Sequence, residues 1–347
     1  MKKLKFIKIV IILCIGIPLI SCSKEGAEGN NEIKIGISVY KADDTFISMI
    51  SKEIEKVAKE KEELTGKRIV LNFVDAAGNN INQGNQIDKF ITQNYNVICV
   101  NLVDRTAAST IIDKAKKADI PIIFFNREPV EEDMERWDKL YYVGAQAEES
   151  ARMQANIIIE LYQKNSEAID KNGDGKIQYI MLEGEPGHQD AAIRTEYSIK
   201  TIQDSGIGVE KLADDTANWQ ADQANEKMTQ WLKDFGDKIE VVFSNNDEMA
   251  LGAIHAIKAA NLEKKPLVVG VDGTPEALEA IKNKEMTGTV ISDSYLQGKT
   301  IFNLAYALTE NIPLEEAAPL EGGKYVKTHH KAVTEENIDN FIQEDVE

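Results

Sequence analysis

From Glu32 onward, short and nearly unbroken apolar runs alternate with amphipathic stretches at helical spacing. The runs are IKIGISV, RIVLNFVD, NVICVNLV, IPIIFFN, IQYIMLEG, IEVVFSN, PLVVGVD and TGTVISD. A strand that is apolar along its whole length cannot face water on either side. It belongs in a parallel sheet whose two faces are covered by helices. The segments between them, among them SMISKEIEKVAKEKEEL and ADQANEKMTQWLKDF, carry charges on one face and can supply that cover. The pattern predicts an α/β chain of doubly wound parallel sheets. About 300 residues of it exceed what one sheet holds, so two similar lobes are expected.

The polar residues that break this pattern fall at strand ends. Asn126 closes IPIIFFN, Asn246 closes IEVVFSNN, and Asp272 closes PLVVGVD. His188 and Asp190 follow IQYIMLEGEPG, while Asp43, Asp44 and Phe46 follow IKIGISVYKA. In open α/β sheets a ligand binds in the crevice beyond the carboxyl ends of the strands. Asn and Asp there also serve as helix N-caps, so any one of them is ambiguous. Recurrence at strand after strand favours a shared site.

The N-terminus reads differently from the rest. Lys2, Lys3, Lys5 and Lys8 precede an apolar stretch from Ile9 to Ile20, followed by LISC and the polar SKEGAEGNN. Such a stretch is too short to span a bilayer but suits the core of a signal peptide. LISC resembles the lipobox of bacterial lipoproteins, which implies cleavage before Cys22 and acylation of its thiol. Of the other cysteines, Cys14 leaves with the signal and Cys99 reads as a small core residue in a strand. Loss of residues 1–21 removes four lysines and no acid, taking the net charge from −18 to −22. So acidic a surface argues against nucleic acid as a partner and against attraction to anionic lipid.

Other chemistries find little support. No GxGxxG follows the first strand and no Walker loop is present, which disfavours NAD and ATP. No CxxC or HExxH zinc pattern occurs. Of the histidines, His255 reads as structural, and the His329–His330 pair has no evident third metal ligand. Asp44, Asp190 and Asp272 could be assembled into the paired carboxylates of a glycosidase, but nothing local holds one of them protonated.

The segment DKNGDGKIQ, residues 170–178, matches the front of an EF-hand calcium loop. Asp170, Asn172 and Asp174 occupy its first, third and fifth positions, Gly175 its sharp turn and Gln178 its ninth. The twelfth position, normally a bidentate glutamate, is Met181. Either the match is accidental or a carboxylate arrives from elsewhere in the chain.

Taken together, YKADDTF, NLVD, PIIFFNREP, YYVG, IQYIMLEGEPGHQDAAIRTEY, DTANW, IEVVFSNNDEMA, GVDGTPEAL and GTVISD run in order across nearly the whole mature chain. They resemble the galactose/glucose-binding family of type I periplasmic sugar-binding proteins. The resemblance implies that Phe46 and Trp219 lie against the faces of a pyranose. It also implies that Asp44, Asn126, His188, Asp190, Arg194, Asn246 and Asp272 bond the sugar hydroxyls. Ser292 stands where the family often has asparagine, and Arg127 where it has lysine. The resemblance supplies the missing calcium ligand as Glu240, in KIEVVF. The ion would be held by Asp170, Asn172, Asp174, Gln178 and Glu240 side chains and the Lys176 carbonyl.

The function so implied is that of a monomeric, lipid-anchored extracytoplasmic protein that delivers glucose or galactose to the membrane subunits of an ABC importer. It would carry a structural calcium ion, and a chemoreceptor is a further implied partner. The expected organisation is a signal peptide (1–21), a lipidated tether (22–31), an N-terminal lobe (32–145 plus 293–327) and a C-terminal lobe (146–292 plus 328–347). Three hinge crossings are expected near Gly144–Gln146, Ser292–Ser294 and Lys327–Thr328. A binder of another monosaccharide (ribose, xylose or a signalling furanose) and a glycosidase are the competing readings. A sugar-responsive repressor shares the fold but would need an N-terminal helix-turn-helix where this chain has a signal-peptide pattern. For the anchor, Cys22→Ser is expected to abolish fatty-acid labelling and release the protein from membranes on fractionation. Continued labelling of that variant would contradict the lipoprotein expectation.

Overall fold

The structure, a computed structural model, describes residues 32–342. The expected signal peptide, tether and Cys22 lie outside the described residues. Twelve strands are described: β1 (Glu32–Val39), β2 (Arg68–Asp75), β3 (Val97–Val100), β4 (Ile122–Phe125), β5 (Leu140–Ala145), β6 (Lys176–Glu183), β7 (Gly208–Thr216), β8 (Val241–Ser244), β9 (Leu267–Val269), β10 (Gly288–Ser292), β11 (Tyr325–Thr328) and β12 (His330–Thr334). They form two six-stranded sheets, ordered β11-β5-β4-β3-β1-β2 and β12-β10-β9-β8-β6-β7. Neighbouring strands run parallel except at β12, which pairs antiparallel with β10 at the edge of the second sheet. The chain is thus a pair of doubly wound α/β lobes, each built on one sheet.

Packing explains the apolar runs. Each sheet carries a separate buried cluster on each face. In the first lobe Ile35, Ile37 and Phe125 point into one cluster, and Ile98, Val100 and Phe124 into the other. In the second, Ile180, Leu182 and Val242 face one way and Tyr179, Met181 and Phe243 the other. Alternate residues of one strand serve opposite cores, so the whole strand must be apolar. Full burial of each such side chain contributes on the order of 1.5–3 kcal/mol.

Three short crossings join the lobes. Gln146 separates β5 from the helix Ala147–Lys164, which packs on β10, β12 and the helix Gln189–Asp204 of the second lobe. Asp293 separates β10 from the helix Ser294–Glu310, which returns to pack on β3 and the helix Thr45–Thr65. His329 separates β11 from β12. Glu149 ties the first of these crossings to the third, because its carboxylate accepts the backbone N–H of His330 at 3.0 Å and lies 3.1 Å from Nδ1 of His329.

One contact in the second lobe admits only glycine. The helices Ala221–Phe235 and Asp247–Ala260 pack closely at Gly252, where a Cβ would lie 2.1 Å from the Ala221 carbonyl oxygen. Because the obstacle is backbone, the helices would have to separate. Gly252→Ala is expected to destabilise the lobe by about 1–3 kcal/mol, through overpacking of the kind that strains a filled core. That should appear as a calorimetric melting temperature lowered by roughly 2–10 °C. An unchanged melting temperature would show that the helices are not in this contact.

Candidate ligand-binding site between the lobes

The carboxyl ends of both sheets face each other across a cleft. There Tyr40, Asp44, Phe46, Asn126, His188, Asp190, Arg194, Trp219, Asn246 and Asp272 line a small cavity. Nine of the residues singled out in the sequence therefore meet at one place. The first lobe supplies Tyr40, Asp44, Phe46 and Asn126, and the second supplies the rest.

Capping and cavity lining prove to be the same thing. Asp44 caps the helix Thr45–Thr65, its Oδ1 accepting the Ile47 N–H at 2.9 Å. His188 caps Gln189–Asp204 through Nδ1, which accepts the Asp190 N–H at 3.1 Å. Asn246 caps Asp247–Ala260, its Oδ1 accepting the Met249 N–H at 3.0 Å. Capping fixes each side chain and turns three helix N-termini, with their partial positive charge, toward the cavity. It also sets what each residue can offer a ligand. His188 accepts through Nδ1, so its Nε2 carries the proton. Burial first, then the charges of Arg127, Arg194 and Arg105, hold its pKa well below the usual histidine range, and the ring is neutral. Asn246 keeps its NH2 free as a donor.

Arg194 is the buried cation of the site. Its Nη1 donates to the Asn245 carbonyl at 2.8 Å, its Nη2 lies 3.4 Å from Asp190 Oδ2, and its Nη1 lies 3.8 Å from Asp272 Oδ1. Burial raises the pKa of Asp190 against the pull of Arg194. Asp272 is pushed well above the carboxylate range by burial, Arg194 opposing and Asp247, Asp44 and Asp190 adding to the rise. Burial also raises Asp44, although the Tyr40 hydroxyl, donating to Oδ2 at 2.5 Å, opposes it. The cavity thus offers carboxylate acceptors together with donors from Arg194, His188 and Asn246.

Backbone strain gathers at the same place. Asn126, Trp219 and Asp272 have φ values of 59°, 65° and 131°. For a side chain as large as tryptophan this conformation is uncommon, and such residues concentrate at ligand clamps. Gly184 makes the Trp219 pose possible, because a Cβ there would meet the indole at 2.1 Å. The ring stands edge-on to His188, with centroids 5.1 Å apart.

Several contributors escape local pattern reading. Tyr40 follows an apolar strand and looks like core, yet its hydroxyl positions Asp44. Asp247 is fully buried and folds the turn that carries Asp272. Its Oδ2 accepts the N–H groups of Gly273 and Thr274 at 2.7 and 2.9 Å, and its Oδ1 the Thr289 hydroxyl at 2.5 Å. Burial pushes its pKa up to about 6 against those bonds. Asn101, buried behind the cavity, donates to Asn126 Oδ1 at 3.1 Å and fixes that amide. Ser292 is not among the residues lining this cavity: it ends β10 opposite His330, its N–H donates to the Asp272 carbonyl at 3.0 Å, and its hydroxyl accepts from Gln297 Nε2 at 3.3 Å.

The calcium-like turn is built as a compact Asx-turn assembly. Asp170 accepts the N–H groups of Gly173 and Gly175 at 2.7 and 2.8 Å, Asn172 that of Asp174 at 2.8 Å, and Asp174 that of Lys176 at 2.9 Å. Glu240 reaches it from the start of β8, accepting from the Gln178 and Lys171 N–H groups at 2.9 and 2.5 Å. Met181 instead points into a core. Among the described residues no three His, Cys, Asp or Glu side chains converge as a metal cluster. The side chains gathered here present carboxylate and amide oxygens, which suit a hard cation. Burial raises the pKa of Glu240, and the Asp170 charge adds to the rise, so a cation would relieve both carboxylates. The residues fit the ion chemically.

Known proteins share this architecture. A family model described as a periplasmic binding protein domain matches residues 35–312. The D-galactose/methyl-galactoside binding periplasmic protein of Haemophilus influenzae is 39% identical over 89% of this chain and 92% of its own. The ribose import binding protein of Bacillus subtilis is 28% identical over 80% and 82%. An ABC transporter solute binding protein from Bacillus halodurans, solved with bound myo-inositol, superimposes with a TM-score of 0.75 at 28% identity, covering 91% of this chain and 98% of that one. By the family match, the relatives and the two-lobed architecture, this chain belongs to the periplasmic binding proteins of type I fold.

Proposed function

We propose that the protein is the extracytoplasmic D-galactose/D-glucose receptor of an ABC importer, anchored by lipid at Cys22 and braced by a structural calcium ion. The observation that carries the sugar reading is the cavity itself. It combines two aromatic rings, Phe46 and Trp219, with two buried carboxylates, a third that is half-buried, and one guanidinium, contributed by both lobes. Pyranose hydroxyls each donate and accept, and the axial C–H groups offer apolar faces to aromatic rings. Carboxylates that burial makes reluctant to ionise are relieved by such donors. The relative that binds D-galactose and methyl-galactoside supports this choice of sugar.

A second reading, another monosaccharide or a cyclic polyol, is favoured by one feature. Ser292, the shorter residue where the family often has asparagine, is not among the residues lining the cavity. Relatives named for ribose and a neighbour holding myo-inositol lie in the same direction. Calorimetric titration of the calcium-loaded mature protein against galactose, glucose, ribose, xylose, allose and myo-inositol separates the two. Galactose or glucose is expected to bind tightest. Trp219→Ala is expected to weaken that binding by at least about thirtyfold, as loss of an aromatic hot spot does. Normal titration of that variant, or no binding by the wild type at millimolar sugar, would contradict the reading. Release of a monosaccharide from a disaccharide would point to a glycosidase instead.

For calcium, Glu240 is the discriminating residue because the turn lacks a twelfth-position acid. Binding to the folded state alone adds roughly 2.7 kcal/mol at a hundredfold excess over Kd. Chelation is therefore expected to lower the melting temperature, and Glu240→Gln to weaken calcium affinity by at least about tenfold. Equal calcium affinity in wild type and Glu240→Gln would leave the turn a plain Asx assembly.

A further inference from the structure

Glu185 lies in the loop between β6 and the helix Gln189–Asp204, and it does not line the cavity. Its two oxygens are divided between two cations of the other lobe. Oε1 accepts from Lys41 Nζ at 2.7 Å, and Oε2 accepts from Arg127 Nη2 at 2.6 Å. Arg127 is held for this contact: its Nη1 donates to the Val103 carbonyl at 2.8 Å, and its guanidinium lies 3.8 Å from the centroid of the Tyr40 ring. Tyr40 in turn bonds Asp44 in the cavity. A line of contacts therefore runs from a carboxylate of the second lobe, through Arg127 and Tyr40, to a ligand-facing carboxylate of the first.

We propose that Glu185 is a positioning residue for ligand retention: it clasps the two lobes over the cavity through Arg127 and Lys41 while touching no ligand. The inference rests on the sugar-receptor reading for its ligand, but the clasp itself is a property of the protein. Among the described residues, the other bonds across the cleft near the cavity are single, from Thr45 Oγ1 to Glu248 at 3.1 Å and from Gln189 Nε2 to the Asn126 carbonyl at 3.0 Å. Glu185 alone among the described residues makes two charge-assisted bonds there, which are shorter and stronger than neutral ones. The side chains are sheltered, Arg127 7% and Glu185 18% exposed, so water and salt screen the pair less than a surface pair. Burial favours the neutral acid of Glu185, but the Arg127 charge and the bonds from both cations outweigh it and keep its pKa below the usual range. Separation of the lobes breaks both bonds at once. The clasp therefore stabilises the closed state selectively, and a term present only in the closed state shows in release rather than in encounter.

The test compares wild type, Glu185→Gln, Lys41→Met and the double variant by stopped-flow tryptophan fluorescence and calorimetry with galactose. Glu185→Gln is expected to raise Kd about tenfold, nearly all of it in a faster koff, with kon within about twofold. The double variant is expected to be no worse than Glu185→Gln alone, since both remove one interaction. Glu185→Asp, which keeps the charge, is expected to restore part of the residence time. Small-angle scattering of the ligand-free chains gives a readout independent of any sugar, in which Glu185→Gln should be more open than wild type. Unchanged koff together with an unchanged ligand-free radius of gyration would overturn the clasp. A wild type that binds no monosaccharide but opens on Glu185→Gln would instead overturn the choice of ligand and keep the clasp.

Discussion

Everything at the cleft turns on one arrangement: Asp190 and Asp272 are buried beside the guanidinium of Arg194, and the half-buried Asp44 of the other lobe lines the same cavity. Buried carboxylates are costly unless something donates to them. The protein satisfies part of that demand internally. Tyr40 and the Ile47 N–H serve Asp44, and Arg194 serves Asp190 and, more distantly, Asp272. What remains is a cavity lined by Phe46 and Trp219 with both acceptors and donors unfilled, which a molecule with several hydroxyls and an apolar face can satisfy. The strained backbone at Asn126, Trp219 and Asp272 belongs to the same arrangement, because it aims these side chains at one point.

The fold makes that point available to both lobes. Parallel strands bring their carboxyl ends, and the helix N-termini that follow them, to one side of each sheet. Three crossings, at Gln146, Asp293 and His329, set the two sides face to face. The cavity is complete only when the lobes are together, since Asp44 and Phe46 come from one lobe and Asp190, Arg194, Trp219 and Asp272 from the other. A ligand held from both sides favours the closed arrangement by contacts that an open one cannot make. Closure about such crossings is the usual way hinge-linked lobes respond to ligand.

Much of this was legible in the chain. Uniformly apolar runs announced strands buried on both faces, and the polar residues ending them announced the cavity. Strands without that signature were harder. β7 lies at a sheet edge, has no fully buried residue and reads GVEKLADDT, so no apolar run marks it. β12 is short, follows β11 after a single residue and pairs antiparallel, against the pattern of its sheet. Site residues escaped for a different reason. Tyr40 looks like a continuation of β1, and Asp247 and Asn101 act through neighbours distant in sequence. Ser292 ends β10 beside Gln297 and outside the lining, because a strand's last residue can face the hinge as readily as the cleft. Glu240 meets Gln178 across a separation of 62 residues, which no local spacing encodes and only the resemblance supplied.

The central claim is that the cavity between the lobes holds a pyranose. Diffraction from crystals of the calcium-loaded mature protein grown with D-galactose tests it most directly. The account predicts one sugar between Phe46 and Trp219, its hydroxyls within hydrogen-bond distance of Asp44, Asp190, Arg194 and Asp272. An empty cavity at saturating galactose, or a sugar bound elsewhere on the chain, would contradict it.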